Sequence, residues 1–134
     1  KYIDSHYRTI RKKEKRAVAG LSMGGFHSLF IALNHPEKFN YVGLLSAGLN
    51  TAFLDMTKPA YKDMEAKLKN FQKEGYDLFW IACGKDDFLY QNNLDFMKTC
   101  DQIGFEYTYH ESERGHIWAN WRQYLLLLTP MLFR

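Results

Sequence analysis

The stretch "AVAGLSMGG", residues 17–25, sets a run of small apolar residues directly before a serine enclosed by glycines. A serine adds nothing to a buried strand, and glycines weaken any helix that comes after. The pattern makes sense as a strand that stops at a sharp turn and feeds a helix. In that setting Gly20-Leu21-Ser22-Met23-Gly24 is the G-x-S-x-G signature of a strained turn that exposes a serine hydroxyl above a sheet. The turn forces the residues two positions either side of Ser22 into close approach, where glycine fits. It also aims backbone N–H groups and the positive helix N-terminus at the place where an oxyanion forms.

Outward from that turn the chain alternates. Ile3, Tyr7 and Ile10 predict an amphipathic helix over residues 2–14, ahead of a strand at 17–21. Phe26, Leu29, Phe30 and Leu33 mark a helix that ends near Asn34-His35-Pro36, and residues 41–45 form a second apolar strand. Turn-rich "SAGLN" and an irregular loop over 51–59 lead to a helix at 60–74, closed by Gly75. A third strand is expected at 77–83, a helix at 91–103, and a fourth strand at 105–110 whose partial alternation suits a sheet edge. Trp118, Trp121, Leu125 and Leu128 mark a last helix that Pro130 ends. The alternation predicts one α/β domain over residues 1–134, with about four parallel strands and helices on both faces. Ligands gather beyond the carboxyl ends of such strands. The loops at 22–25, 46–57, 84–90 and 111–116 then share one rim.

Composition narrows the possibilities. Apolar residues make up 46% of the 134, enough for a core, so disorder is excluded. No apolar run approaches the length of a membrane-spanning helix. Arg8, Arg11, Lys12, Lys13, Lys15 and Arg16 concentrate positive charge, but no nucleic-acid motif or aromatic interleaving accompanies them. They read as a solvated helix end, with no nucleic-acid or membrane partner. Cys83 and Cys100 lack the spacing of a zinc site and read as buried thiols, with a single disulfide as the alternative for an exported protein.

A serine hydroxyl needs a general base, and the base needs an orienting carboxylate. Asp86 and Asp87 follow the third strand in "CGKDD", and His116 follows the fourth in "RGH". The order serine, acid, histidine is the one this kind of turn calls for. His6, His27, His35 and His110 lie on helices or at element ends and read as surface or packing residues.

Together "AGLSMGG", "SAGLN", "CGKDDFL" and "GHIWANWRQYL" resemble the carbohydrate-esterase, esterase D-like branch of the α/β-hydrolases. That branch includes feruloyl and acetyl xylan esterases, with S-formylglutathione hydrolases and mycolyltransferases as relatives. The resemblance implies Ser22 as nucleophile, His116 as base and Asp87, in G-x-x-D, as acid, with Asp86 as the alternative. The Met23 N–H is the matching oxyanion donor, and no metal or cofactor is called for. Leu49, Asn50, Leu89 and Tyr90 stand on rim loops as candidate substrate contacts. Trp118 and Trp121 either stack on a sugar or feruloyl ring or pack their helix.

The expected reaction is release of feruloyl or acetyl groups from plant polysaccharide through an acyl-enzyme, in a secreted or periplasmic setting. A thioesterase, an acyltransferase and a non-catalytic associating fragment are the alternatives. The resemblance further implies that these residues form the C-terminal half of the fold. The strand at 17–21 is then expected to pair with a missing N-terminal half or with a second copy. The loop that supplies a second oxyanion donor has no counterpart in the sequence, so weak activity is expected of these residues alone.

Overall fold

Three short apolar runs and one polar edge segment form one parallel sheet, with the two inner strands buried on both faces. They are Ala17–Leu21 (β1), Tyr41–Leu45 (β2), Leu78–Gly84 (β3) and Thr108–Ser112 (β4), in spatial order β1-β2-β3-β4. The structure is a computed structural model, and it describes residues 2–49, 55 and 57–134. The helices among them are Tyr2–His6 (α1), Met23–Asn34 (α2), Met64–Glu74 (α3), Tyr90–Ile103 (α4) and Trp118–Leu128 (α5). This is the expected α/β architecture, a four-stranded parallel sheet with helices on both faces, matching the core of an α/β-hydrolase.

The pleat divides the core in two. Val42, Leu44, Phe79 and Ile81 face a layer built from α2, α3 and α4, where Leu29, Leu33, Leu68, Phe71 and Phe96 are buried. Leu45, Trp80 and Ala82 face the other way, against Tyr124 and Leu128 of α5. Gly43 pairs with Trp80 in the register and leaves room for Leu128, whose Cδ2 would lie 2.6 Å from an added Cβ. The central strand β2 is buried at every position.

Two expectations change. The helix predicted over 2–14 stops at His6, and a single 3-10 turn comes later at Lys13–Lys15. Asp4 accepts from Thr9 Oγ1 at 2.8 Å, and its backbone carbonyl accepts from Arg11. Asp4 also pairs with Arg16 at 2.8 Å. Such side-chain bonds compete with a short helix, which is marginal on its own. Ile3, Tyr7 and Ile10, the apolar stripe that suggests the longer helix, remain exposed. Of the basic cluster, Lys13 caps a helix end that is not its own. Its Nζ donates to the carbonyls of Glu74 and Gly75 at the C-terminus of α3.

The fourth strand begins at Thr108 rather than at Phe105. Phe105 is instead a buried plug, stacked on Tyr76 and meeting Phe79 edge-on. Its N–H caps the Cys100 carbonyl, so the backbone there cannot join the ladder.

Cys83 and Cys100 are both free and buried. Burial pushes each thiol up to about 12, with the Asp87 carboxylate adding to the effect on Cys83. The thiolate is the reactive form. Iodoacetamide at neutral pH should therefore leave both cysteines unmodified in the native protein and alkylate both in urea. Mass spectrometry reads the difference, and rapid native alkylation of Cys83 would contradict the packing described.

Candidate active site

The candidate residues lie beyond the carboxyl ends of three strands, beginning at the end of β1. Ser22 holds φ 54° and ψ −120°, a conformation that L-residues rarely adopt. Its N–H donates to the Leu45 carbonyl at 2.9 Å, tying the turn to the end of β2. Its carbonyl accepts from Gly25, Phe26 and Gly48. Met23 is the first residue of α2, where N–H groups lack an acceptor within the helix.

The glycine logic of the turn is sharper than the motif suggests. A Cβ on Gly20 would sit 2.3 Å from the backbone carbon and oxygen of Gly24, so nothing larger fits. Gly24 itself has open space where a Cβ would go. The second tight position is Gly25, where a Cβ would lie 2.5 Å from Ala47 Cβ. The expectation that Gly24 must be glycine for steric reasons is thus corrected. Gly24 matters because its backbone passes against Gly20, and Gly25 matters because the loop after β2 crosses beneath it.

The acid and base loops lie one strand apart and are laced together. Lys85 N–H donates to the Ser112 carbonyl at 2.8 Å and Asp86 N–H to the Arg114 carbonyl at 3.1 Å. A Cβ on Gly84 would meet the Arg114 oxygen at 2.1 Å, and one on Gly115 the Asp86 oxygen at 2.8 Å. Buried Asn120 donates from Nδ2 to the carbonyls of Glu113 and Gly115, both at 3.0 Å, and pins the loop that carries His116.

Within that frame His116 Nδ1 lies 2.9 Å from Asp87 Oδ2 and 3.1 Å from Oδ1. The Asp87 side chain is fully buried and that of His116 is 18% exposed. Asp87 Oδ1 also accepts from the Leu89 N–H at 2.9 Å. A carboxylate only accepts, so Nδ1 is the donor in this contact, which in the neutral imidazole leaves the lone pair on Nε2. Asp86, the alternative acid, is exposed, and its bond to Arg114 is made by its backbone N–H rather than its carboxylate. Among the described residues no hydrogen bond joins Ser22 Oγ to the His116 ring.

The candidate substrate contacts separate. Leu49 is buried in the larger core cluster, so its side chain packs rather than lines a rim. Asn50 lies outside the described residues. Leu89 is half-buried and braces Asp87, and the Tyr90 hydroxyl donates to Glu111 Oε2 at 2.6 Å. Trp118 is exposed and meets Trp121 edge-on. Sequence reasoning misses Phe88, which is 74% exposed with its ring 4.7 Å from that of His116. It also misses Asn120 and Ser46. Position could have flagged Phe88, because it directly follows the candidate acid.

This fold and site define an α/β-hydrolase core carrying a buried Asp–His pair. A family model described as putative esterase matches residues 1–131, and the chain belongs to that family. It is 28% identical over 141 aligned residues to an acetyl esterase of Caldicellulosiruptor saccharolyticus, covering 86% of this chain and 53% of that protein. Over 46 residues, 34% of this chain and 6% of the other, it is 52% identical to an endo-1,4-beta-xylanase/feruloyl esterase of Xylanibacter ruminicola. The crystal structure of an S-formylglutathione hydrolase from Staphylococcus aureus superposes with a TM-score of 0.78 at 29% identity, covering 97% of this chain and 56% of that one. The chain thus spans about half the length of the acetyl esterase it matches.

Gly20 and Gly24 make a contrast that can be measured. Gly20→Ala should destabilise the protein by about 1–3 kcal/mol or more through overpacking. Gly24→Ala, in the first turn of α2, should be neutral or stabilising by up to about 1 kcal/mol. Urea unfolding midpoints of the two variants test this, and equal losses would contradict the geometry.

Proposed function

We propose that the protein is a serine ester hydrolase, with Ser22 as nucleophile, His116 as general base and Asp87 as its orienting acid. The observation that carries this reading is the 2.9 Å contact between His116 and a fully buried Asp87 at the rim where the strained Ser22 turn also ends. His116 Nε2 takes the proton of Ser22 Oγ as the oxygen attacks the ester carbonyl. Asp87 keeps the proton on Nδ1 and stabilises the imidazolium that forms. The Met23 N–H and the N-terminus of α2 receive the oxyanion. His116 then hands its proton to the departing alcohol, leaving an acyl-enzyme. Water, activated by the same Nε2, releases the acid. Relaxed distances before substrate binds are common in such sites.

The finer reading is an acetyl or feruloyl ester carried on plant polysaccharide. The named activities of the Caldicellulosiruptor and Xylanibacter relatives support it. The departing alcohol must lie beside His116, which protonates it. Phe88 and Trp118 are exposed aromatic rings on that side, and such rings suit a sugar face. A polysaccharide substrate places the reaction in a secreted or periplasmic setting.

The proposal extends to the edge of the sheet. In turns of this kind a second oxyanion donor comes from a loop outside the G-x-S-x-G segment, and among the described residues β1 is an edge strand. A further segment, either an N-terminal half or a second copy, pairs with β1, and an N-terminal half would supply that donor. One such donor is worth about 2.7–4 kcal/mol.

A fluorophosphonate probe should label Ser22, and Ser22→Ala should abolish labelling. Asp87→Asn should slow turnover of p-nitrophenyl acetate by about 10⁴-fold, while Asp86→Asn leaves it nearly unchanged. A panel of acetylated xylan, methyl ferulate and a thioester then ranks the substrates. Absence of labelling, both alone and with an added N-terminal half, would overturn the hydrolase reading.

Residues 1–134 alone should turn over esters about 10²–10³-fold more slowly than the same chain joined to a segment carrying the second donor. Equal kcat values would remove the reason for invoking that segment.

A further inference from the structure

Trp121 reaches two places from α5. Its indole Nε1–H donates to Ser46 Oγ at 3.3 Å. Its ring meets the His116 ring edge-to-face, with centroids 4.9 Å apart and planes at 84°. Ser46 is a fixed anchor: it is fully buried, holds a left-handed φ of 45°, and donates its N–H to the Ala82 carbonyl at 2.7 Å. The tether therefore runs from the end of the sheet, through the indole, to the flank of the imidazole.

The geometry explains why such a tether is needed. Asp87 holds one nitrogen of His116, and a ring held at one atom can pivot about that bond. A flat side chain packed against the ring removes this freedom. Phe88 also touches the ring, but it is largely exposed and has no polar group to fix it. Trp121 is half-buried, packs against the α5-side core, and is tied at its far end.

We propose that Trp121 is a positioning residue: through its hydrogen bond to Ser46 it fixes the ring plane of His116, so that Nε2 faces Ser22. The proposal rests on the serine-hydrolase reading for its catalytic consequence. Its structural content, a ring held in one orientation, stands apart from activity.

The test uses Trp121→Leu, Trp121→Phe and Ser46→Ala. Trp121→Leu removes both ring and tether, and should lower the maximal rate of fluorophosphonate inactivation at Ser22 by about 10–100-fold with little change in probe affinity. Trp121→Phe keeps an aromatic flank and should lose less. Ser46→Ala should lose at least as much as Trp121→Phe, since the Ser46 hydroxyl also faces Cys83 and Tyr124. Adding Trp121→Phe to it should cost little more, because the indole bond is already gone. The hydrogen-exchange rate of the His116 Nδ1 proton, read by NMR, supplies a measure that needs no catalysis. It should rise in Trp121→Leu, with folding checked by circular dichroism. An unchanged inactivation rate together with an unchanged exchange rate in Trp121→Leu would overturn the proposal. Additive losses in the Ser46→Ala, Trp121→Phe pair would equally overturn the tether. A wild-type protein that fails to label at Ser22 would sink the hydrolase reading instead, and the exchange measurement would still decide whether Trp121 holds the ring.

Discussion

The backbone turn at Ser22 is the constraint on which the rest depends. A non-glycine residue at φ 54° is strained, at a cost of order 1–3 kcal/mol, and persists only if its surroundings over-determine it. Here they do. Ser22 gives its N–H to β2, and its carbonyl accepts from the start of α2 and from Gly48. Gly20 lies against the Gly24 backbone, and Gly25 lies against Ala47. One turn therefore fixes the positions of β1, β2 and α2 together. It also keeps position 47 small, because the Ala47 side chain already lies against Gly25 of α2. The strain reaches that loop too, where Ser46 also takes a positive φ.

The second half of the site solves a different problem, the burial of a carboxylate. Taking a charge out of water costs several kcal/mol unless partners replace the lost hydration. Asp87 receives the Leu89 N–H and the His116 Nδ1–H. Those donors stay in place because the loops after β3 and β4 are laced by backbone hydrogen bonds and by Asn120. Gly84 and Gly115 permit that approach. The neighbouring Asp86 has the same chemistry but is exposed to solvent, so the difference between the two aspartates lies in the loop's path.

Much of this is legible in the sequence, and the failures share a cause. The strands at 17–21 and 41–45 can be read because a buried parallel strand is a short apolar run with few competing interpretations. The placement of Ser22, Asp87 and His116 at one end of the sheet is readable because each follows its own strand. The N-terminal helix is overextended because Ile3, Tyr7 and Ile10 give a helical period, which does not register the side-chain bonds that tie Asp4 to Thr9 and Arg16. Phe105 looks like strand because a plug and a strand residue share hydrophobicity. Leu49 looks like a rim residue because chain position does not reveal which way a side chain turns. Asn120 and Ser46 carry no signal, since their roles are side-chain hydrogen bonds, to the loop just before its own helix for Asn120 and across the fold for Ser46.

The two edges of the sheet are chemically unlike, and that difference bears on what the site needs. The β4 edge carries Thr108, His110, Glu111 and Ser112, and Glu111 is engaged by Lys85 and Tyr90. Polar and charged side chains of this kind discourage strand addition. The β1 edge is Ala-Val-Ala-Gly-Leu, without charge, proline or bulge. Nothing in its composition resists a neighbouring strand, and its last residue leads directly into the Ser22 turn. A strand added there would cover the apolar edge and bring new backbone N–H groups close to Ser22. On the proposed reading, the same uncharged edge that accepts a strand would also place a second oxyanion donor, so one pairing event would serve both.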